Sequence, residues 1–171
     1  MRHGKSDWSA PGWSMSAAGD HERPLAPRGV KASRLMGRML PAIGWRPDAI
    51  VASTAVRTRD TAELARGAGF ADVPLRLEAS LYDAALSTAV ELVRGQDDAA
   101  STLLVVGHEP TVSELVATCV GGGRVRMVTA AVAAIELEVT RWRNVVAGSG
   151  MLRFLLPPRR VAEMLDVGAE D

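Results

Sequence analysis

Three short segments concentrate the reactive side chains of this chain: Arg2-His3-Gly4, Ser53-Thr54-Ala55-Val56-Arg57-Thr58 and Gly107-His108-Glu109-Pro110. Between them they hold two arginines and two of the three histidines; the third, His21, lies between the first two segments. A guanidinium offers an oxyanion a planar fork of donors, and an imidazole can attack or exchange a proton near neutral pH. The pattern describes an anion site with reactive nitrogens in it. Charge agrees. Residues 1–60 carry ten Lys or Arg against five Asp or Glu, a local excess of +5, whereas the whole chain balances 20 basic with 20 acidic residues. Taken singly, each segment has a plainer reading: a solvated arginine near a chain start, or a histidine capping a strand end. The conjunction is what points to a site.

The elements that must bring these segments together show in the hydrophobic pattern. Residues 5–27 are rich in Ser, Gly, Ala and Pro and read as a loop. From Arg28, the residues Ala32, Leu35, Met36, Met39, Leu40 and Ile43 mark one face of a helix that Gly44 ends. Asp48 to Ser53 holds a short buried strand. Val56 to Arg66 reads as a helix stopped by Gly67 and Gly69, and Val73 to Leu77 as a weak strand. Leu86, Ala89, Val90 and Val93 give another helical stripe, ended by Gly95. Thr102 to Val106 is a strand apolar enough to be covered on both faces. Val112, Leu115, Val116 and Cys119 then mark a helix broken by Gly121-Gly122-Gly123. Residues 131–139 and 151–156 read as strands of a hairpin. This alternation predicts a three-layer α/β/α fold with a mostly parallel sheet. Ligands in such sheets bind beyond the carboxyl ends of strands. Ser53–Arg57 and Gly107–Pro110 both lie there, and each opens a helix.

Composition bounds the function. A length of 171 residues suits one domain, expected over residues 1–160 with residues 161–171 as a C-terminal tail, read as a short helix or a frayed end. An apolar content of 47% excludes wholesale disorder, and the charge balance argues against a nucleic-acid binder. The single cysteine, Cys119, forbids an internal disulfide and reads as core packing. No apolar run reaches the roughly 20 residues of a membrane span, and Met1-Arg2-His3-Gly4-Lys5 is unlike a secretory leader, so a cytoplasmic protein is expected. No Asp/His cluster has metal-ligand spacing, so neither metal nor cofactor is expected.

The order and spacing of the three segments resemble the histidine phosphatase superfamily, the phosphoglycerate mutase-like group. Arg2-His3-Gly4 looks like its Arg-His-Gly signature, and the opening through Trp8 and Ser9 is similar to that of the mutases, with Ser9 where they have Asn. Ser53 through Ala62 looks like its Ser-x-x-x-Arg-x-x-x-Thr-Ala block. Gly107-His108-Glu109-Pro110 looks like Gly-His-Asn-Pro, with Glu109 departing from Asn. Glu22 to Gly29 and Gly148-Ser149-Gly150 are similar to the small SixA-like phosphohistidine phosphatases, which lack the helical insertions of the mutases.

The resemblance implies a metal-independent phosphatase acting on phosphohistidine in proteins. His3 would be the nucleophile and would form a phosphohistidine intermediate. Arg2 and Arg57 would clamp phosphoryl oxygens, and His108 would donate to them as an imidazolium. Asp83 is the candidate proton donor to the leaving group, with Glu78 behind it. Gly4, Ser9 and Arg23 are candidate substrate contacts, although Arg23 also reads as a surface salt bridge. Trp8 and Trp13 could wall the pocket mouth, Lys5 could tune its field, and Arg124 and Arg126 could dock an acidic partner. A phosphorylated histidine leaves as imidazole and needs no strong acid, whereas an alkyl phosphate does. The alternatives are a small-molecule phosphomonoesterase, whose partner is a phosphorylated metabolite, and a catalytically weak module that binds a phosphorylated partner. The oligomeric state is left open.

One feature departs from the resemblance. In that family Arg-His-Gly follows an apolar central strand, which is missing before Met1. The reading here favours a start further upstream. A sheet lacking that strand would expose two edges and leave Arg2 and His3 on a mobile terminus, with poor solubility or weak activity.

Overall fold

The structure, a computed structural model, describes residues 1–10 and 16–167. Three parallel strands form the central sheet: β1 (Ala49–Ser53), β2 (Leu75–Glu78) and β3 (Leu103–Val106), in the order β2-β1-β3. Ile50 stands opposite Leu75 on one side and Leu104 on the other. β4 (Val132–Leu137) and β5 (Gly150–Leu156) form a separate antiparallel pair. The helices are α1 (Ala17–His21), α2 (Pro27–Ala42), α3 (Val56–Gly69), α4 (Leu86–Arg94), α5 (Thr111–Cys119) and α6 (Pro158–Val167). None among the described residues is long and apolar enough to cross a membrane.

Side-chain alternation along the strands sorts the helices into layers. Ile50, Ala52, Leu104 and Val106 share a core with Met36, Met39 and Leu40 of α2, Ala62 and Ala65 of α3 and Val161 of α6. Their neighbours Val51, Leu103 and Val105 face Ala89 and Leu92 of α4 and Leu115 of α5. β1 and β3 are therefore covered on both faces, which is why the pattern at 102–106 is apolar throughout. The expected three-layer α/β/α arrangement stands.

Several boundaries differ from the sequence reading. α3 runs through Gly67 and Gly69 instead of stopping before them. Gly69 is small because α2 and α3 touch: a Cβ there would lie 2.0 Å from the Gly37 carbonyl oxygen. Gly37 is equally tight, its Cβ falling 2.2 Å from the Ala65 carbonyl oxygen. The stretch 5–27 contains the short helix α1. α6 begins before residue 161 and Val161 is buried, so of the two readings of the tail the helix applies through Val167.

Residues 1–3 are held rather than mobile. The Met1 amine donates to Val105 O at 2.7 Å, and Gly107 N donates to Met1 O at 3.1 Å. His3 N donates to Gly107 O, Arg2 N to Ala131 O, and Ala130 N to His3 O, all at 3.0–3.1 Å. These three residues thus sit between the end of β3 and the start of β4, with Arg2 in parallel register with Gly107. Backbone bonding on both sides replaces the chain-end freedom that sequence position alone implies.

Candidate active site

Met1–His3, the β1–α3 turn and the β3–α5 turn meet at the carboxyl end of the sheet. His3 is buried, and its Nδ1 lies 2.7 Å from the Gly4 carbonyl oxygen. A carbonyl only accepts, so Nδ1 carries the proton and Nε2 keeps its lone pair. Burial is the main cause that lowers the His3 pKa, to about 3; the Gly4 carbonyl opposes it, and His108, Arg57 and Arg2 add to it. The ring is thus neutral at pH 7, with its Nε2 lone pair available. Gly4 itself serves packing. Its N–H goes to Thr61 Oγ1 at 2.8 Å, and a Cβ would meet Gly29 O and Ser33 Oγ at 3.0 Å. Thr61 in turn donates to the Arg57 carbonyl at 2.6 Å, which ties the first segment to the second.

The arginines converge on one carboxylate. Arg57, second residue of α3 and 5% exposed, donates from Nη2 to Asp20 Oδ2 at 2.9 Å and from Nη1 to the Asp20 carbonyl at 2.5 Å. Arg23, also 5% exposed, donates from Nη2 and Nε to Asp20 Oδ1 at 2.5 and 3.2 Å, and from Nη1 to Ser6 Oγ. Its guanidinium carbon stacks 3.9 Å from the centre of the Trp8 ring. Tyr82 completes the set by donating its hydroxyl to Asp20 Oδ2 at 3.0 Å. Burial raises the Asp20 pKa, but the hydrogen bond from Arg23, the charge of Arg57 and the Tyr82 hydroxyl outweigh it and hold it at about 2. Arg23 is therefore a buried member of the site and not a surface salt bridge. Arg2 approaches from the other side and anchors Nη1 on the Met127 carbonyl at 2.9 Å.

His108 closes the pocket. Its Nε2 lies 2.9 Å from Ser53 Oγ and 3.1 Å from Thr58 Oγ1, and its ring centre is 5.2 Å from that of His3. Burial first, then Arg57, lowers its pKa to about 4, against the pull of Asp20. With no anion beside it the ring is neutral at pH 7; a bound dianion would favour its protonated form, the imidazolium that the resemblance implies. The Nε atoms of Arg2 and Arg57 and Nδ1 of His108 are buried without a protein partner. Two unspent guanidinium N–H groups and a ring nitrogen suit an oxyanion with several acceptor oxygens.

The histidine phosphatase superfamily (branch 1) model matches residues 1–88, half of the chain and all of the first two segments. The chain belongs to the histidine phosphatase superfamily. An uncharacterized protein of Mycobacterium tuberculosis is 44% identical over 115 residues, 67% of this chain and 66% of that protein. One from Mycobacterium leprae is 35% identical over 127 residues, 72% of this chain and 73% of its own length. Among solved structures, a protein assigned as the phosphohistidine phosphatase SixA of Nakamurella multipartitia superposes with a TM-score of 0.77 at 26% identity, over 92% of this chain and 93% of that one. The protein histidine phosphatase SixA in complex with tungstate gives 0.76 at 23% identity over 94% and 96%, a likeness of fold.

Within this superfamily member, His3, Arg2, Arg57, His108 and Arg23 lie in one cluster. Other candidates do not. Asp83 is exposed at φ 52° and makes none of the hydrogen bonds or ion pairs of the cluster. Glu78 is turned to local work, accepting from Ser80 and Arg76. Ser9 is exposed and gives both its N–H and its hydroxyl to Asp7 at 2.8 and 2.7 Å. Lys5 is half-buried, with none of the site's hydrogen bonds; Arg124 and Arg126 are exposed. Trp13 lies outside the described residues. The sequence reading missed Asp20 and the hydroxyl of Tyr82. Only the spacing of Asp20 and Arg23, one helical turn apart, hinted at a pair.

Proposed function

We propose that the protein is a phosphatase that takes a phosphoryl group onto His3 and passes it to water, with phosphohistidine in proteins as its substrate. The observation that carries this is the fixed tautomer of His3, Nδ1–H on the Gly4 carbonyl, beside Arg2, Arg57 and His108. In the first step His3 Nε2 forms a P–N bond as the P–N bond of the substrate, protonated on its other ring nitrogen, breaks and a neutral imidazole departs. In the second, water attacks the phosphorus of phospho-His3 and releases phosphate and the free ring. Arg2, Arg23 and Arg57 bind the equatorial oxygens throughout, with charge supplied entirely by side chains.

The leaving group favours phosphohistidine over alkyl phosphates. An alkoxide needs a positioned acid. Asp20, the carboxyl within the cluster, stays ionised with a pKa of about 2, and Asp83 is exposed. An imidazole needs no such donor. The 26% identical protein assigned as a phosphohistidine phosphatase supports the same substrate class. The partner is then a phosphorylated protein, and the single buried Cys119 suits a reducing compartment such as the cytoplasm.

The test is phosphate release from a phosphohistidine protein and from p-nitrophenyl phosphate, in chelator, by wild type and His3→Ala. The proposal expects preference for the phosphoramidate and loss of release in the variant. Preference for the ester would move the substrate to small molecules. Retention of the phosphorylated partner without release would make the protein a binding module.

A further inference from the structure

Residues 120–131 join α5 to β4 and lie outside every helix and strand. Gly121, Gly122 and Gly123 open the segment with φ of 87°, 127° and 94°, left-handed values that turn the chain sharply as it leaves α5. Four residues later it reaches the phosphoryl pocket. Met127 is wholly buried there: its N–H donates to Ser113 Oγ at 2.9 Å, and its carbonyl takes Arg2 Nη1 at 2.9 Å. Burial alternates on either side of this fixed point. Val125 packs against the cluster of Val112, Met127 and Ala131, while Arg124, Arg126 and Val128 are exposed. Two guanidiniums thus stand on the outer side of the segment whose carbonyl anchors Arg2.

Neither cation is matched. Exposed arginines elsewhere hold carboxylates: Arg46 donates to Asp72 at 2.6 Å and Arg76 to Glu78 at 2.8 Å. Among the described residues, Arg124 and Arg126 have no ion pair and no hydrogen bond. The carboxylate on this side, Glu109, is taken by Ser113, whose hydroxyl lies 2.8 and 2.7 Å from its two oxygens. Arg126 is close enough to act on Arg2. Burial is the main cause that lowers the Arg2 pKa; Glu109 opposes it, and the charge of Arg126 adds to it. A cation that repels a cation of the site and pairs with nothing adds no stability to the free protein. It becomes favourable when an anion arrives beside it. The phosphoryl group already has Arg2, Arg23, Arg57 and His108 inside the pocket, so the outer pair faces what lies next to that group in the substrate.

We propose that Arg124 and Arg126 form a docking surface for acidic residues that flank the phosphohistidine in the protein substrate. The proposal rests on the phosphoprotein reading above and adds which phosphoproteins the site prefers. Arginines two residues apart on one face match carboxylates at alternate positions of an extended peptide. Both guanidiniums are exposed, and exposed ion pairs contribute modestly and are screened by salt. The surface therefore selects among substrates instead of holding one tightly.

Three phosphohistidine peptides test it, alike except that the residues on either side of the phosphohistidine are glutamate, serine or lysine. At low ionic strength the wild type should take the glutamate peptide with a kcat/KM about fivefold above the serine peptide, the difference lying in KM and not in kcat. The preference should vanish in about 1 M salt, where the Debye length falls to about 3 Å. The double variant Arg124→Gln, Arg126→Gln should bring the three peptides level. Arg124→Glu, Arg126→Glu should reverse the order and favour lysine, and the ratio between peptides cancels any effect of the variant on the phosphoryl group itself. Equal kcat/KM for the three peptides in the wild type would overturn the proposal, as would a glutamate preference that survives in both variants. No release from any of the peptides by the wild type would overturn the phosphatase reading itself, and this proposal with it.

Discussion

Asp20 occupies the arginines that the proposed reaction needs, and replacing it with asparagine measures how strongly. Asp20→Asn keeps the shape and removes the charge. The carboxylate holds Arg57 at 2.9 Å and Arg23 at 2.5 Å, and a phosphate must take both guanidiniums from it. Hydrogen bonds to a charged group are worth about 1.5–3 kcal/mol net, and neutral ones about 0.5–1.5. The carboxylate is 31% exposed, so the lower end applies, about 1 kcal/mol for each arginine. Freeing two arginines therefore favours phosphate by about 2 kcal/mol, or roughly thirtyfold. Loss of order works the other way, at about 0.5–1.5 kcal/mol for each side chain that must be immobilised again. Arg23 and Arg57 are each 5% exposed and stay packed without Asp20, so that cost is small and the electrostatic gain wins. The assay is inhibition by inorganic phosphate at fixed ionic strength, because exposed charges are screened by salt. Inhibition by phosphate should tighten about tenfold or more in the variant. Unchanged or weaker inhibition would refute the reasoning and make Asp20 the group that aligns the arginines.

Asp83→Asn should change turnover of a phosphohistidine protein by less than about threefold, since this exposed carboxylate lies outside the cluster; a larger fall would restore it as the proton donor. His3 and His108 have pKa values of about 3 and 4, so kcat/KM should stay level from pH 7 to 5 instead of falling through the usual histidine range. Stability behaves differently. Both rings protonate near pH 6.5 when unfolded but only near 3 and 4 when folded, so Tm should be full above about pH 6.5 and fall as the pH drops toward 4. A Tm that is flat from pH 7 to 5 would show that burial does not hold these rings neutral. Gly37→Ala places a Cβ 2.2 Å from the Ala65 carbonyl oxygen and should lower Tm by several degrees, at a cost of about 1–3 kcal/mol, as thermal unfolding would show.

β1 and β3 were legible because both their faces are covered, and most helices because each buries one stripe. The three reactive segments were legible because their order and spacing are specific. What escaped the sequence lies in tertiary contact. Gly67 and Gly69 read as helix stops, yet α3 continues, because at Gly69 the missing side chain is taken up by the α2 backbone. Asp20 read as one charge in a loop, and nothing local says that two distant arginines and Tyr82 will point at it. Asp83 followed a familiar segment, but its backbone turns left-handed and leaves the carboxylate in solvent. Nothing local in the sequence says that the backbone of residues 1–3 bonds to Gly107 on one side and to Ala130 and Ala131 on the other.

The central claim is that His3 carries the phosphoryl group between substrate and water. The direct measurement is rapid acid-free quenching of the enzyme with an isotopically labelled phosphohistidine protein, followed by peptide mapping at alkaline pH. Label on the peptide containing His3, appearing before free phosphate and absent in His3→Ala, is the predicted result. Free phosphate released with no label ever on the enzyme, and at the same rate in His3→Ala, would contradict it.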